Sequence, residues 1–213
     1  PLVTVDRPGT QKYPNIRADN YAGARMAVEH LVATGARNIL HITSTVSEQN
    51  LRLAGYRDAV TAAGMTPQVL ELGFRTPLPR KRELIERYLK ESTAGERVDA
   101  VFASNDTYAA MVLNWARTRN LCVPQDFQVV GFDGTETVRA LIPELATVVQ
   151  QIEQIAARAV QRLLQTIESG RQGRLNDTPS PHESDKKQQG STADVFPVHL
   201  HEGGTLRAIT VSS

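Results

Sequence analysis

Residues 121–150 read LCVPQDFQVVGFDGTETVRALIPELATVVQ and hold two apolar runs, 127–132 and 146–149, separated by an acidic turn. In the first run only Gln128 and Gly131 interrupt the apolar residues, the composition of a strand covered on both faces. Asp133-Gly134-Thr135 then gives a turn signal, which puts Asp133 on a strand tip. Strands buried on both faces belong to parallel sheets flanked by helices, so the surrounding sequence should alternate strand with helix.

Upstream, 2–5 is a short apolar strand, and 21–34 is a helix with Ala24, Ala27, Val28, Leu31 and Val32 on one stripe. Asp19 or Asn20 is its N-cap and Gly35 its stop. A strand at 38–43 leads to Thr45-Val46-Ser47-Glu48, which has the spacing of a capping box, after which Leu53, Tyr56, Val60 and Ala63 recur at helical period until Gly64. Next come a strand at 69–72, a basic helix with Leu84, Ile85, Tyr88 and Leu89 on one face, a strand at 100–103 and a helix at 106–119. Beyond the two quoted runs, 152–169 is amphipathic through Ile155, Ala159, Leu163 and Ile167. The fold class is therefore α/β, with right-handed crossovers and doubly wound parallel sheets.

With 213 residues, 40 % hydrophobic and 22 % charged, the chain has the composition of a globular protein of one large domain or two small ones. A net charge of +1 gives no electrostatic footprint for nucleic acid, so these residues are not expected to bind DNA. The single Cys122 precludes an internal disulfide and fits a reducing compartment; with no signal peptide and no apolar run near 18 residues, the cytoplasm is the expected location and no membrane contact is expected.

In open parallel sheets ligands sit beyond the carboxyl ends of the strands, where helix N-termini also point. Leaving each strand at that end one meets 44–52, then Gly73-Phe74-Arg75, Ser104-Asn105-Asp106 and Asp133-Gly134-Thr135. Arg52 offers a rigid fork of donors, Asp133 accepts from paired hydroxyls, Asn105 does both, and Phe74 supplies a flat apolar face. That set suits a neutral polyhydroxylated ligand. Each residue also has a plainer reading: Arg52 as a solvated helix charge, Asn105 or Asp106 as an N-cap, Asp133 as a turn former, Phe74 as a core or rim aromatic. Convergence on one edge is what favours a site.

VPQDFQVVGFDG followed by IPELATVVQ resembles the effector-binding domain of lactose/galactose-repressor-type bacterial transcription regulators, relatives of periplasmic sugar-binding proteins, over residues 1 to about 170. The resemblance implies a type I periplasmic-binding-protein-like domain of two lobes, with a sugar or phosphorylated sugar in the cleft between them shifting their closure. It is carried by LRLAGY at 51–56, which implies that Arg52 grips the effector, and by ASND at 103–106, which implies Asn105 and Asp106. GFD at 131–133 implies Asp133, GF at 73–74 implies a stacking Phe74, and ATVVQ at 146–150 implies that Gln150 lines the hinge. A homodimer is implied too, with DNA contacted only through an amino-terminal helix-turn-helix that these residues lack.

The chain departs from the family in two places. It starts at PLVTVDRPG, which resembles a later strand of the amino-terminal lobe, so 1–34 and 150–170 are expected to form an incomplete lobe with unpartnered apolar faces and 38–149 the carboxyl-terminal lobe. Residues 171–194 are polar and rich in Ser, Pro and Lys, the composition of a flexible loop; FPVHL at 196–200 is expected to begin a terminal strand and tail covering 195–213, although EGGT at 202–205 lacks the arginine of the family pattern.

Other motifs are negative. The sequence has no G-x-G-x-x-G after a strand, no Walker loop, no G-x-S-x-G and no metal-spaced His or Cys cluster, so neither a cofactor nor a metal is expected. His199 and His201 share a strand face without a third ligand, His30 and His41 read as satisfied structural histidines, and RKRELIERYLK at 80–90 reads as a solvated helix face. Three function classes follow: a sugar sensor of a regulator, a periplasmic-type solute-binding protein, and an enzyme on a doubly wound sheet. The enzyme needs a positioned acid/base pair that Asp106 and Asp133 do not supply from the sequence, so the chain is not expected to be an enzyme.

Overall fold

The apolar runs become strands. The computed structural model describes residues 1–7, 13–92, 97–175 and 193–209. In chain order these form β1 (Thr4–Val5), β2 (Asn15–Ala18), α1 (Asn20–Ala33), β3 (Ile39–Thr43), α2 (Leu51–Ala62), β4 (Gln68–Glu71), α3 (Leu78–Glu91) and β5 (Ala100–Ala103). They continue through α4 (Asp106–Thr118), β6 (Gln128–Asp133), α5 (Glu136–Leu141), β7 (Ala146–Val149), α6 (Ile152–Leu175), β8 (Ala193–Phe196) and β9 (His199–His201).

Two compact units result, Pro1–Asp19 with Gln151–Pro197, and Asn20–Gln150 with Val198–Ser213. The second holds a six-stranded sheet in the order β4-β3-β5-β6-β7-β9, parallel except for β9, which runs antiparallel to β7. Every residue of β3, β5 and β7 is buried, as strands covered on both faces require. Ala24, Val28 and Leu31 of α1 with Leu53, Tyr56 and Val60 of α2 cover one face, and Ile85, Leu89, Val112 and Leu113 of α3 and α4 cover the other. Helices α1 and α2 pack so closely that a Cβ on Gly55 would lie 2.4 Å from the Tyr21 carbonyl oxygen.

Helix α1 was expected with the first lobe and belongs to the second unit. Its apolar stripe meets Phe132 and Val148 of that unit's sheet, and a Cβ on Gly23 would stand 2.9 Å from each. The capping expectation also fails. Asn50, not Thr45, caps α2, its side chain accepting from the Leu53 N–H at 3.2 Å.

In the first unit β1, β2 and β8 form a parallel sheet, with Ile16 opposite Asp194. Asp194 receives Arg158 Nε at 2.6 Å and Arg162 Nη2 at 3.0 Å, which anchors α6. The strand expected from FPVHL is two strands, β8 and β9, separated at Pro197 and assigned to different units. After β9 the chain is pinned by Thr205, whose hydroxyl donates to the Val129 carbonyl at 2.6 Å and accepts from the Ala146 N–H at 2.8 Å. That pair fixes the register without the family arginine. Of the expected loop at 171–194, 171–175 are helical, 193–194 begin β8, and 176–192 lie outside the described residues. Leu2, Val5, Ile152, Val160, Leu163, Leu164 and Val195 of this unit are exposed apolar side chains.

Of the two structural histidines, His30 Nε2 pairs with the Arg207 carbonyl at 2.9 Å. His41 is only half satisfied. Its Nδ1–H donates to the Phe102 carbonyl at 3.0 Å while Nε2, fully buried, has no partner among the described residues.

Candidate functional site

The candidate residues gather at the carboxyl edge of the six-stranded sheet. Arg52 is the second residue of α2, and the Asn50 cap starts that helix beside the tip of β3: Asn50 Nδ2 donates to Thr43 Oγ1 at 3.0 Å. The guanidinium lies over the Phe132 ring, 3.7 Å from its centroid, a cation–π contact on a desolvated face. Its Nε–H donates to Asn20 Oδ1 at 2.7 Å and Nη1 donates to the Ser104 carbonyl. Nη1 also pairs with Asp133 Oδ1 at 3.2 Å. Orienting contacts on several edges hold one geometry, and the Arg52 side chain is 18 % exposed. The solvated-charge reading does not describe it.

Asp133 ends β6 with φ 113, outside the region comfortable for a residue with a Cβ, so surrounding contacts must hold it there. Two of those come from Gln150, which donates Nε2–H to Asp133 Oδ1 at 2.7 Å and its backbone N–H to the Asp133 carbonyl at 3.1 Å. The register, Asp133 opposite Val149, brings them together.

Asn105 and Asp106 divide the start of α4 between them. Asn105 is the N-cap, its Oδ1 accepting from the Tyr108 N–H at 2.9 Å, and it stays partly exposed. Asp106, expected as a ligand contact, is instead turned inward and is 3 % exposed. One carboxylate oxygen accepts from the Gly134 N–H at 2.8 Å and the other from the Thr147 hydroxyl at 2.6 Å. Burial raises its pKa above the ordinary carboxylate range, against the lowering effect of those two hydrogen bonds; the nearby Asp133 charge raises it further and Arg52 lowers it. Phe74 lies in the turn after β4 and is 81 % exposed, so it is neither core nor covered rim.

Sequence reasoning missed Asn20 as a partner of Arg52, the Ser104 carbonyl, the ring of Phe132 and the hydroxyl of Thr147. Asn20 carried a signal only as a possible cap; its pairing with Arg52 is a tertiary fact. Another groove, lined by Val32, Asn38, Gly64, Met65 and Tyr88, opens at the amino ends of β3 and β4, where α1 and α2 present carbonyls rather than N–H groups. It lacks the converging donors of the opposite edge. Among the described residues no group of three or more His, Cys, Asp or Glu could hold a metal ion.

A family model for periplasmic binding protein-like domains matches residues 28–184. A sucrose operon repressor from Pediococcus pentosaceus is 36 % identical over 172 residues, 79 % of this chain and 51 % of that protein. A ribose operon repressor from Halalkalibacterium halodurans is 32 % identical over 172 residues, 79 % of this chain and 50 % of that protein. The chain thus spans about half the length of the curated relatives it matches. A solved periplasmic binding protein/LacI transcriptional regulator from Alkaliphilus metalliredigens, complexed with D-xylulofuranose, superposes with a TM-score of 0.73 at 25 % identity, covering 98 % of this chain and 71 % of that one. The chain belongs to the periplasmic binding protein-like domain family, and operon repressors and a LacI transcriptional regulator are among the proteins it is similar to.

Proposed function

We propose that the chain senses a sugar or phosphorylated sugar for a bacterial transcription regulator, and that Arg52, Asn105, Asp133 and Gln150 supply its polar contacts while Phe74 offers a face to the ring. The observation that carries this reading is the Arg52–Asp133–Gln150 set on one sheet edge, where a fork of donors stands beside an acceptor at 3.2 Å. Adjacent sugar hydroxyls both donate and accept, so they match this alternation. The two operon repressors and the D-xylulofuranose complex among its relatives support the same ligand class.

Binding acts by population shift: the ligand favours whichever conformation gives it better contacts. DNA recognition belongs to the whole regulator rather than to these residues, in keeping with their net charge of +1. A homodimer in the cytoplasm completes the proposal. The exposed apolar side chains of the first unit favour association, and no helix among the described residues is long and apolar enough to cross a membrane. Binding without turnover is favoured by the engagement of the Asp133 carboxylate with the Arg52 guanidinium and the Gln150 amide, which occupy it as an acceptor.

Calorimetric titration with ribose, D-xylulose, sucrose, cellobiose and their phosphates tests this directly. At least one should bind, be recovered chemically unchanged, and bind far more weakly to Arg52→Ala. Failure of the whole panel, or consumption of the bound sugar, would refute the reading.

A further inference from the structure

We propose that Asp106 is a positioning residue of the sugar site, whose buried carboxylate fixes the direction of Asp133 without touching the ligand. The proposal rests on the sugar-sensing reading above. Its basis is a set of contacts that meet on Asp106 from three elements. Asp106 itself opens α4, where the helix N-terminus favours a negative charge. The Gly134 N–H, at 2.8 Å, comes from the residue after Asp133, and the Thr147 hydroxyl, at 2.6 Å, comes from β7. A carboxylate that is 3 % exposed has lost its water, so these two donors replace it.

The sequence around it is fitted to this carboxylate. Gly131 faces Asp106 from β6, and a Cβ there would stand 2.3 Å from Asp106 Oδ1 and 3.4 Å from its Cα. Any side chain at 131 would expel the carboxylate. Gly131 is opposite Thr147 in the β6–β7 register, so the missing side chain and the donating hydroxyl lie side by side under the same group. Gly134, at φ 60, follows Asp133 at φ 113, two successive residues in left-handed backbone. The peptide group between them is held at its N–H by Asp106 and at its carbonyl by the Gln150 backbone N–H, at 3.1 Å. Without the Asp106 acceptor, that peptide keeps only its carbonyl bond to the Gln150 N–H, a single anchor about which it can rotate, and Asp133 relaxes toward negative φ. Its carboxylate then leaves Arg52 and Gln150, and the acceptor half of the sugar site is lost.

A double-mutant cycle on the full chain separates this role from direct contact and from general stability. The probes are the sugars of the panel above. Asp106→Asn should weaken binding by about 10-fold or more, as loss of an orienting partner commonly does. In an Asp133→Ala background the same change should weaken the residual binding no further. An equal loss in both backgrounds would mean that Asp106 contacts the ligand or merely stabilises the fold, and would overturn the proposal; so would unchanged affinity in the single variant. If Asp106→Asn does not fold, Thr147→Val takes its place in the cycle, with a smaller loss that must likewise vanish in the Asp133→Ala background. A readout free of ligand accompanies both: the Arg52 Nε–H resonance in a proton–nitrogen spectrum should move in Asp106→Asn or Thr147→Val, because Asp133 has left the guanidinium. An unmoved resonance overturns the proposal even if no sugar in the panel binds, whereas failure of the panel alone counts against the sugar-sensing reading.

Discussion

Lowering the pH from 7 to 5 should destabilise the second unit by about 2 kcal/mol through one side chain, His41. The ring is fully buried on β3, stacked between Tyr56 and Phe102 with centroids 5.0 and 4.8 Å away. Burial drives its pKa from 6.5 down to about 3, the hydrogen bond to the Phe102 carbonyl opposing and the positive charges of Arg52 and Arg57 assisting. In the unfolded chain the imidazole takes up a proton as the pH falls below 6.5, while in the folded chain it stays neutral down to about 3. Between those values the unfolded state binds more protons. Stability is therefore full above 6.5, falls by about 1.4 kcal/mol per pH unit below it, and levels off near pH 3 after a loss of about 5 kcal/mol. That is a large share of the roughly 5–15 kcal/mol that holds a domain together. Urea unfolding at pH 7, 6 and 5 measures it. The one tryptophan, Trp115, is 9 % exposed on α4 of the same unit and reports its unfolding by fluorescence. His41→Phe keeps a flat ring between the two aromatics and removes the titration, so its stability should change much less between pH 6.5 and 5. If it lost as much as the wild type over that range, the assignment to His41 would be wrong.

Arg52→Ala should weaken sugar binding by about 10- to 100-fold, since each charge-assisted bond is worth about 1.5–3 kcal/mol; unchanged calorimetric affinity would remove Arg52 from the site. Asp133→Asn should lose affinity while the fold, followed by circular dichroism, is retained, because the amide is nearly the same size but brings a donor toward Arg52 and Gln150. Gly131→Ala should destabilise the second unit by about 1–3 kcal/mol or more through the overlap with Asp106, read as a lower urea midpoint. Val160→Glu with Leu164→Glu, replacing side chains that are 58 % and 53 % exposed, should reduce both hydrophobic-dye binding and the mass found by light scattering; no change in either would show that this face of α6 takes no part in association.

The parallel sheet was legible because its central strands are short apolar runs buried on both faces, a pattern that polar loops delimit sharply. β2 was not. Asn15-Ile16-Arg17-Ala18 alternates polar with apolar over four residues, too few to stand out, and its buried Asn15 donates through Nδ2 to the Thr4 hydroxyl and the Arg7 carbonyl, partners the sequence does not show. The ownership of α1 was hidden for a different reason: an apolar stripe says that a face is covered, and nothing about which sheet covers it. Thr45 and Asn50 are both capping residue types ahead of one helix, and only the backbone geometry at Asn50 decides between them.

The same logic explains how far the site could be read. The rule that ligands gather at strand carboxyl ends selected Arg52, Phe74, Asn105 and Asp133 without tertiary information, because each follows a recognisable strand or opens a helix, while Gln150 came only from the family resemblance. It could not separate Asn105 from Asp106, adjacent polar residues at one helix start. Successive helical positions point about 100° apart, so when one faces the open edge its neighbour must face elsewhere, and the sequence does not say which. The discriminating signal lies on other strands. Gly131 leaves a space on β6, and Thr147, its partner across the β6–β7 register, places a hydroxyl beside that space. A buried acidic residue needs both: room for its oxygens and donors to replace water. Once β6 and β7 are paired, the side chain of the α4 start that faces them has to be an acceptor. Asp106 fills that requirement, and Asn105 is left to cap the helix at the open edge, where the proposed ligand contact would fall.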